Sequence, residues 1–208
     1  MVLKFREYLQ FHWDKDDFII GKNVIGANGK PDQDQPTPRG RDWRLEKFFN
    51  NIIYEKEILC FCSFTLSTNP TKIRYQVSKT CSDKDFITFG NIYKSWKYDR
   101  GFSENDSYIK ALKMSKFCIS PEGNGVDCFR TWDALYEKSI PIVMESKIMR
   151  RYQDLPILYT KNYTEITEDF LNDFYQKALD TEYDFSKLFK SYWKYKIGDS
   201  GLQKYITI

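Results

Sequence analysis

The sequence predicts an α/β fold built on a parallel, doubly wound sheet. From Glu57 onward, short apolar segments alternate with segments of roughly ten residues that have helical spacing, which is typical of such sheets. Residues 116–145 show the pattern most clearly, because an apolar strand, a glycine loop, an amphipathic helix and a second apolar strand follow one another. A unit of this kind has parallel strands, with its loop at their carboxyl end.

Each element of the regular part has its own signal. Short apolar runs indicate strands buried on both faces, and apolar residues three or four apart indicate helices. Pro121 ends the strand of the central unit, while Thr68 or Asn69 is expected to cap the first helix. The predicted strands are Glu57–Phe64, Asp85–Phe89, Lys116–Ser120 and Ile140–Met144, and the predicted helices are Lys72–Cys81, Glu104–Met114, Val126–Lys138 and Glu165–Leu179.

The first 55 residues differ from the rest of the chain. Gly21–Arg41 is rich in glycine, proline, asparagine and aspartate, which is typical of an extended loop, and Asp42–Asn51 regains helical spacing. A complete second domain needs about 150 residues, so this part is too short to be one. The sequence therefore predicts a short N-terminal extension, residues 1–55, followed by one domain, residues 56–208.

Composition and charge argue against several classes of protein. The formal net charge is only +3, which gives no reason to expect a nucleic-acid partner, and no apolar run reaches the roughly 20 residues of a membrane span. The five cysteines are odd in number and partly in apolar segments, which favours reduced thiols and a cytoplasmic location. Cys60 and Cys62 lack a second pair of ligands, so no metal site is expected there.

The glycine loop of the central unit has the chemistry of a phosphate site. Gly123, Asn124 and Gly125 let the backbone approach a ligand, and the following helix directs its N–H groups to the same place. Arg130 can contact a phosphate oxygen, and Asp133 can accept hydrogen bonds from sugar hydroxyls. Together they suggest a nucleoside diphosphate that carries a sugar. The alternative is an ordinary turn whose Arg130 and Asp133 pair with each other on a solvated face.

Two further segments offer candidate residues. The loop after the first strand should lie at the same sheet edge, where Ser63 and Arg74 can contact the diphosphate; the alternative is a plain helix cap with a surface arginine. His12 has the side chain best matched to catalysis at neutral pH and is a candidate base. Because Phe11 and Trp13 flank it, a packing role is the alternative.

Residues 115–143, SKFCISPEGNGVDCFRTWDALYEKSIPIV, resemble the donor-binding segment of exostosin-like glycosyltransferases. The similarity continues through Tyr152–Ile157 into the helix that follows. Two positions depart from the family pattern: Asp133 stands where the family has a glutamate, and Ser139 stands where a glycine is usual. The resemblance implies a Rossmann-like domain equivalent to the donor-binding half of a GT-B enzyme, with Asp133 at the donor ribose.

The resemblance also implies a reaction. A sugar would pass from a nucleoside diphosphate to a hydroxyl of a glycan or another acceptor, with Arg130 stabilising the leaving diphosphate. No metal or other cofactor is expected, and the acceptor's base would come from residues 1–55 or from a partner chain. Two alternatives stay open: a non-catalytic nucleotide-sugar-binding module or one half of a split enzyme, and a metal-dependent GT-A enzyme that uses Asp32 and Asp34.

Overall fold

The structure is a computed structural model that describes residues 1–21, 40–42, 50–69, 71–90 and 102–196. Asp32 and Asp34 lie outside these ranges, as does most of the predicted loop Gly21–Arg41 and of the predicted helix Asp42–Asn51. The predictions made for those residues therefore stay predictions.

The described strands form one five-stranded sheet and two small pairs. They are β1 (Val2–Lys4), β2 (Ile20–Gly21), β3 (Arg41–Asp42), β4 (Ile58–Cys62), β5 (Ile87–Phe89), β6 (Ser115–Ile119), β7 (Ile140–Met144), β8 (Leu158–Thr160) and β9 (Glu182–Asp184). The main sheet has the order β5-β4-β6-β7-β8, and all its neighbours are parallel. The predicted Rossmann-like α/β fold is thus confirmed.

Helices connect most of these strands. They are α1 (Phe5–Tyr8), α2 (Ile73–Ser82), α3 (Phe102–Met114), α4 (Phe129–Tyr136) and α5 (Glu168–Asp180). The order of the strands reverses between β4 and β6, because the chain runs outward to β5 before it returns to β6. In sheets of this kind the crevice at such a reversal, outside the carboxyl ends of the strands, is the usual place for a ligand.

Two local predictions were wrong. The central helix was expected over Val126–Lys138, but α4 begins only at Phe129, so the glycine loop is longer and includes Val126 and Asp127. The first helix was expected to have Thr68 or Asn69 as its cap, but Lys72 occupies that position with a left-handed φ of 57°. The Thr68 hydroxyl instead accepts from Arg74, while the Asn69 side chain donates to the glycine loop and accepts the N–H of Thr71, which lies before the helix begins.

The N-terminal residues pack into the same hydrophobic core as the sheet. β1 pairs antiparallel with β9, and the ring of Tyr8 stacks on Phe185 with centroids 4.0 Å apart. The hydroxyl of Tyr8 also donates to the carbonyl of Leu135 at 2.7 Å. The boundary at residue 55 stays a prediction, but residues 1–19 contribute side chains such as Phe5, Tyr8 and Phe18 to this core.

The state of the cysteines and the character of the helices were both predicted from the sequence. All five cysteines are free and buried, and burial raises the pKa of the Cys118 thiol to about 12. Within the described part of the chain, no helix has the length and apolar character needed to cross a membrane. The cytoplasmic location stays a prediction.

Candidate functional site

The candidate site lies at the carboxyl ends of β4 and β6, where the strand order reverses. The loop after β4 begins with Ser63, and the loop after β6 contains Gly123. Both loops are buried over much of their length, because side chains from α2 and α4 reach into them. Two buried arginines, one from each of these helices, dominate the site.

Arg74 joins the two loops. Its Nη1 donates to the carbonyl of Thr65 at 2.9 Å and to the hydroxyl of Thr68, both in the loop after β4. Its Nε donates to the carbonyl of Glu122 at 2.9 Å, and its Nη2 donates to that of Pro121 at 3.4 Å, both in the glycine loop. The alternative interpretation, in which Arg74 lies on the surface, was wrong: Arg74 is 5% exposed and links the two loops.

Gly123 is held against this cross-link. A Cβ atom built on Gly123 would lie 2.8 Å from Nη2 of Arg74, closer than real Cβ contacts come. The side-chain amide of Asn69 also donates to the Gly123 carbonyl at 2.7 Å. Gly123 is therefore a glycine because a guanidinium passes beside it, a reason that the sequence alone did not indicate.

The next two residues of the loop have a different environment. Asn124 is exposed and Gly125 half-buried, and the N–H groups of both donate to no acceptor among the described residues. They precede α4, whose first N–H groups have no partner within the helix itself. A negatively charged group at this turn would meet several N–H donors and the positive end of the helix dipole.

Arg130 lies in the first turn of α4 and points back to β4. Its Nε donates to the carbonyl of Ser63 at 2.6 Å, and its guanidinium lies 5.3 Å from the ring centroid of Phe64. Its Nη1 is buried and has no hydrogen-bond partner in the described structure. A buried donor of this kind is costly, typically about 1–3 kcal/mol or more for a charged group, unless something binds to it.

Asp133 lies one helical turn after Arg130 and is 3% exposed. The hydroxyl of Tyr108 on α3 donates to its carboxylate at 3.5 Å. The solvated face that the alternative interpretation assumed for Arg130 and Asp133 was therefore wrong, since every residue of α4 from Arg130 to Tyr136 is buried. The ribose contact of Asp133 stays a prediction.

The positive charge near the loop affects the pKa of Cys128, which occupies the N-cap position of α4. Burial alone would raise the pKa of its thiol, but the guanidinium groups of Arg130 and Arg74 and hydrogen bonds with Ser120 and Thr131 lower it below the usual value. The pKa of Arg130 is raised despite its burial, chiefly by Tyr108 and Cys128, so its charge is permanent. The loop is therefore an electropositive environment that suits an anion.

The structure does not bring His12 to this site. His12 is exposed, and the backbone of the next residue, Trp13, is held by the side chain of Asn51, whose amide donates to its carbonyl at 2.9 Å. Trp13 and Asn51 line a cavity together with residues that precede β4 and β7, at the opposite edge of the sheet. The catalytic role of His12 stays a prediction, but it has no support from this placement.

Several residues of the site escaped the sequence analysis. Phe64 lies under both arginines, Thr65 and Asn69 hold the loops, and Tyr108 reaches Asp133. Thr65 and Asn69 lie in the segment next to Ser63, so their proximity was predictable, whereas Tyr108 is separated by 25 residues from Asp133 and belongs to another helix. Only the tertiary fold brings these side chains together.

The end of α4 has a lysine in a conformation that favours glycine. Lys138, not Ser139, has the left-handed φ of 61° that favours glycine. Ser139 instead donates its N–H to the carbonyl of Ala134 at 2.8 Å and is buried. Helices often end in this way, with glycine at the left-handed position, and in this chain that position is occupied by Lys138.

Among the described residues, no three histidine, cysteine, aspartate or glutamate side chains are arranged to hold a metal ion. Comparison with curated proteins gives no match. The profile of one protein family, the RXYLT1 C-terminal domain, matches residues 49–197, which is more than half of the chain and includes β4, both loops, α4 and α5. The chain therefore belongs to the RXYLT1 C-terminal domain family, a family of exostosin-like glycosyltransferases.

Proposed function

We propose that this chain binds a nucleoside-diphosphate sugar at the glycine loop and transfers the sugar to a hydroxyl acceptor. The observation that carries the proposal is Nη1 of Arg130, a charged donor that is buried without a partner at the point where the strand order reverses. An arginine fork binds phosphate oxygens well, and here one arm is fixed by the Ser63 carbonyl while the other is unoccupied. Membership in a glycosyltransferase family supports the same reaction class.

Each group at the loop has a role in this reaction. Negative charge grows on the diphosphate as its bond to the sugar breaks, so a fixed cation there stabilises the transition state more than the bound substrate. Arg130 supplies this cation, while the N–H groups of Asn124 and Gly125 orient the phosphate oxygens. Arg74 acts indirectly: it holds both loops in place, because its donors are already bonded to carbonyls of the protein.

The roles proposed for Ser63 and Asp133 in binding the nucleotide sugar follow from where these residues lie. The Ser63 carbonyl accepts a hydrogen bond from Nε of Arg130 and so orients the guanidinium. Asp133, enclosed beside Tyr108, is proposed to hold the ribose. The acceptor and its base belong to the other side of the crevice, which is supplied by another part of this protein or by a partner chain. A GT-B type mechanism without metal fits a site whose positive charge comes from Arg130 and a helix terminus.

A module that binds the nucleotide sugar without turnover is the second candidate. It is favoured by the position of the single histidine of the chain, His12, because the nearby Gln10 and Trp13 line the cavity at the opposite edge of the sheet from Arg130. The two candidates share the donor site and differ in turnover. Release of the nucleoside diphosphate from the donor, measured with and without candidate acceptors, separates them.

Thermal denaturation against a panel of nucleoside diphosphates and their sugar conjugates tests the proposal. A ligand at 100 times its dissociation constant adds about 2.7 kcal/mol, which for a chain of this size raises the melting temperature by roughly 5–10 °C. We expect this rise with EDTA present and no further rise with Mn²⁺. If no nucleotide raises the melting temperature with or without Mn²⁺, the proposal is wrong; a rise only with Mn²⁺ would favour the metal-dependent alternative.

A further inference from the structure

The cavity lined by Trp13 and Asn51 lies at the amino edge of the main sheet, opposite the glycine loop. Its volume is about 290 Å³. Three lysines line it, each from the segment that leads into a different strand: Lys56 precedes β4, Lys113 precedes β6 and Lys138 precedes β7. β4, β6 and β7 are neighbours in the sheet, so the fold brings together three ammonium groups that are far apart in sequence.

One of these lysines is already held by the protein. Nζ of Lys113 donates to the carbonyls of Asn50, at 2.7 Å, and Ile52, at 3.4 Å. It also lies 3.8 Å from the carboxylate of Glu137, and both side chains are almost completely buried. Lys113 and Glu137 are thus buried residues of the cavity lining, and they offset each other's charge.

The other two lysines are less well compensated. Nζ of Lys56 donates to the backbone carbonyl of Glu137 at 3.3 Å, which provides no formal charge. Burial lowers the pKa of Lys56 to about 7; the Glu137 carboxylate opposes this, while Lys138 and Lys113 add to it. Burial likewise lowers the pKa of Lys138 to about 8, again opposed by Glu137 and assisted by Lys113. Glu55 also lines the cavity but is exposed to solvent.

The backbone at Lys138 is a separate observation. Its φ of 61° lies in the left-handed region, which a residue with a side chain occupies at a cost and glycine does not. A lysine at this position directs an ammonium group to the cavity in spite of that cost. Because helices often end on a left-handed residue, this backbone is not itself a sign of a ligand; what points to one is the convergence of three lysines on the cavity.

We propose that this cavity binds a small oxyanion of the phosphate class, either inorganic or carried on a small ester. An anion would supply the negative charge that Lys56 and Lys138 lack, and ammonium groups are common phosphate ligands. The volume lies at the lower limit of ligand pockets, so a free phosphate or a single sugar phosphate is the expected size. The side chains of Gln10 and Tyr54 are in the lining and can provide polar contacts for an ester's hydroxyls.

Isothermal titration calorimetry with inorganic phosphate, sulfate, glucose 6-phosphate and glucose tests the proposal. The inorganic ions and glucose 6-phosphate distinguish the two sources of the oxyanion, and glucose controls for the sugar alone. We expect phosphate or its ester to bind, and glucose not to bind. Lys56→Gln and Lys138→Gly should each weaken that binding about tenfold or more, since each removes a charged donor. Lys79→Gln, which changes an exposed lysine on α2, is the matched control and should bind as the wild type does.

Lys138→Gly also separates binding from folding, because glycine suits the left-handed backbone and the variant should fold at least as well as the wild type. Arg130→Lys separates the two sites: it should leave oxyanion binding at the amino edge unchanged. Sulfate keeps its double charge between pH 6 and pH 9, so its affinity should fall over this range as Lys56 and Lys138 lose their protons.

Three results would overturn the proposal. The first is the absence of binding by every oxyanion, and the second is binding that survives both Lys56→Gln and Lys138→Gly. The third is binding lost in Arg130→Lys alone, which would assign the ion to the glycine loop. The first two results leave the nucleotide site at the glycine loop untouched, and the third would support that site while removing this one, so the two proposals can fail separately.

Discussion

The two edges of the main sheet both gather positive charge, but with different side chains. At the carboxyl edge Arg74 and Arg130 share the ring of Phe64, with distances of 5.7 and 5.3 Å from its centroid. At the amino edge Lys56, Lys113 and Lys138 surround a cavity. The arginines keep their charge when buried, whereas burial lowers the pKa of Lys56 to about 7.

The difference follows from the chemistry of the two side chains. A guanidinium is a planar fork with five donors and remains protonated in the interior, so Arg74 can bond two loops at once and Arg130 can keep a charge for a ligand. An ammonium group is a compact charge that loses its proton when water is removed. The carboxyl edge is therefore a site of permanent charge, and the amino edge is one whose charge depends on pH.

The largest expected effect is that of removing the arginine cross-link. Arg74→Ala leaves the carbonyls of Thr65, Glu122 and Pro121 without their buried donor. We expect the free energy of unfolding, measured in urea, to fall by about 3 kcal/mol or more. Arg6→Ala is the matched control: Arg6 is 54% exposed in its pair with Asp180, and its loss should cost under about 1 kcal/mol. Equal costs would contradict the structural role of Arg74.

A smaller effect is expected at Gly123. A methyl group there would meet Nη2 of Arg74 at 2.8 Å, so Gly123→Ala should destabilise the protein by about 1–3 kcal/mol, as overpacking does. In the Arg74→Ala background the methyl group finds space, and the two costs should not add. Strict additivity in this double-mutant cycle would show that Gly123 is required for another reason.

The sequence predicted the fold well because the fold depends on local patterns. β7 was predicted to the residue, and the bounds of β4, β5 and β6 lie within two residues of their predicted bounds. Short apolar runs between helices leave few alternatives to a parallel sheet. The beginning of α4 was harder to predict, because Val126 and Asp127 suit a helix as well as a loop, and the contacts of this turn, such as the bond from the Trp132 indole to Asp127, have no local signal.

The site was only partly predictable. Arg130 and the glycine loop stand in one segment, so their proximity followed from the sequence. The role of Arg74 did not, since its acceptor Glu122 is 48 residues away and is a backbone carbonyl that every residue possesses. The burial of Asp133 was also missed, because a polar residue on a helix usually faces water and the cover from Tyr108 on α3 has no local signal.

At the amino edge, the backbone of Lys138 gives a prediction of opposite sign. Lys138→Gly relieves the left-handed strain, which costs about 1–2 kcal/mol for a residue with a side chain, while the greater freedom of glycine in the unfolded chain offsets part of the gain. We expect the free energy of unfolding to rise by up to about 1 kcal/mol. Ser139→Gly, at the buried neighbour, should instead destabilise the protein; a gain there and not at Lys138 would contradict the assignment.

Another expected effect concerns pH. Lys56 has a pKa of about 7 in the folded protein against 10.5 when exposed, so above pH 7 the unfolded chain binds more protons at this group. The stability contributed through Lys56 therefore rises with pH from about 7 towards 10.5 and falls as the pH drops to 7. Urea denaturation between pH 7 and pH 8.5 should show a steeper rise in the wild type than in Lys56→Gln. Identical slopes would mean that the pKa of Lys56 is not lowered in the folded protein.

The most direct test of the account is the affinity of Arg130→Lys for a nucleoside diphosphate, measured by calorimetry with EDTA. Lysine keeps the charge but loses the fork, whose Nε bonds the Ser63 carbonyl while Nη1 has no hydrogen-bond partner among the described residues. We predict that the affinity falls about tenfold or more, and that Arg6→Lys, at an exposed arginine far from the loop, has no effect. Wild-type affinity in Arg130→Lys would contradict the assignment of the donor site to the carboxyl edge.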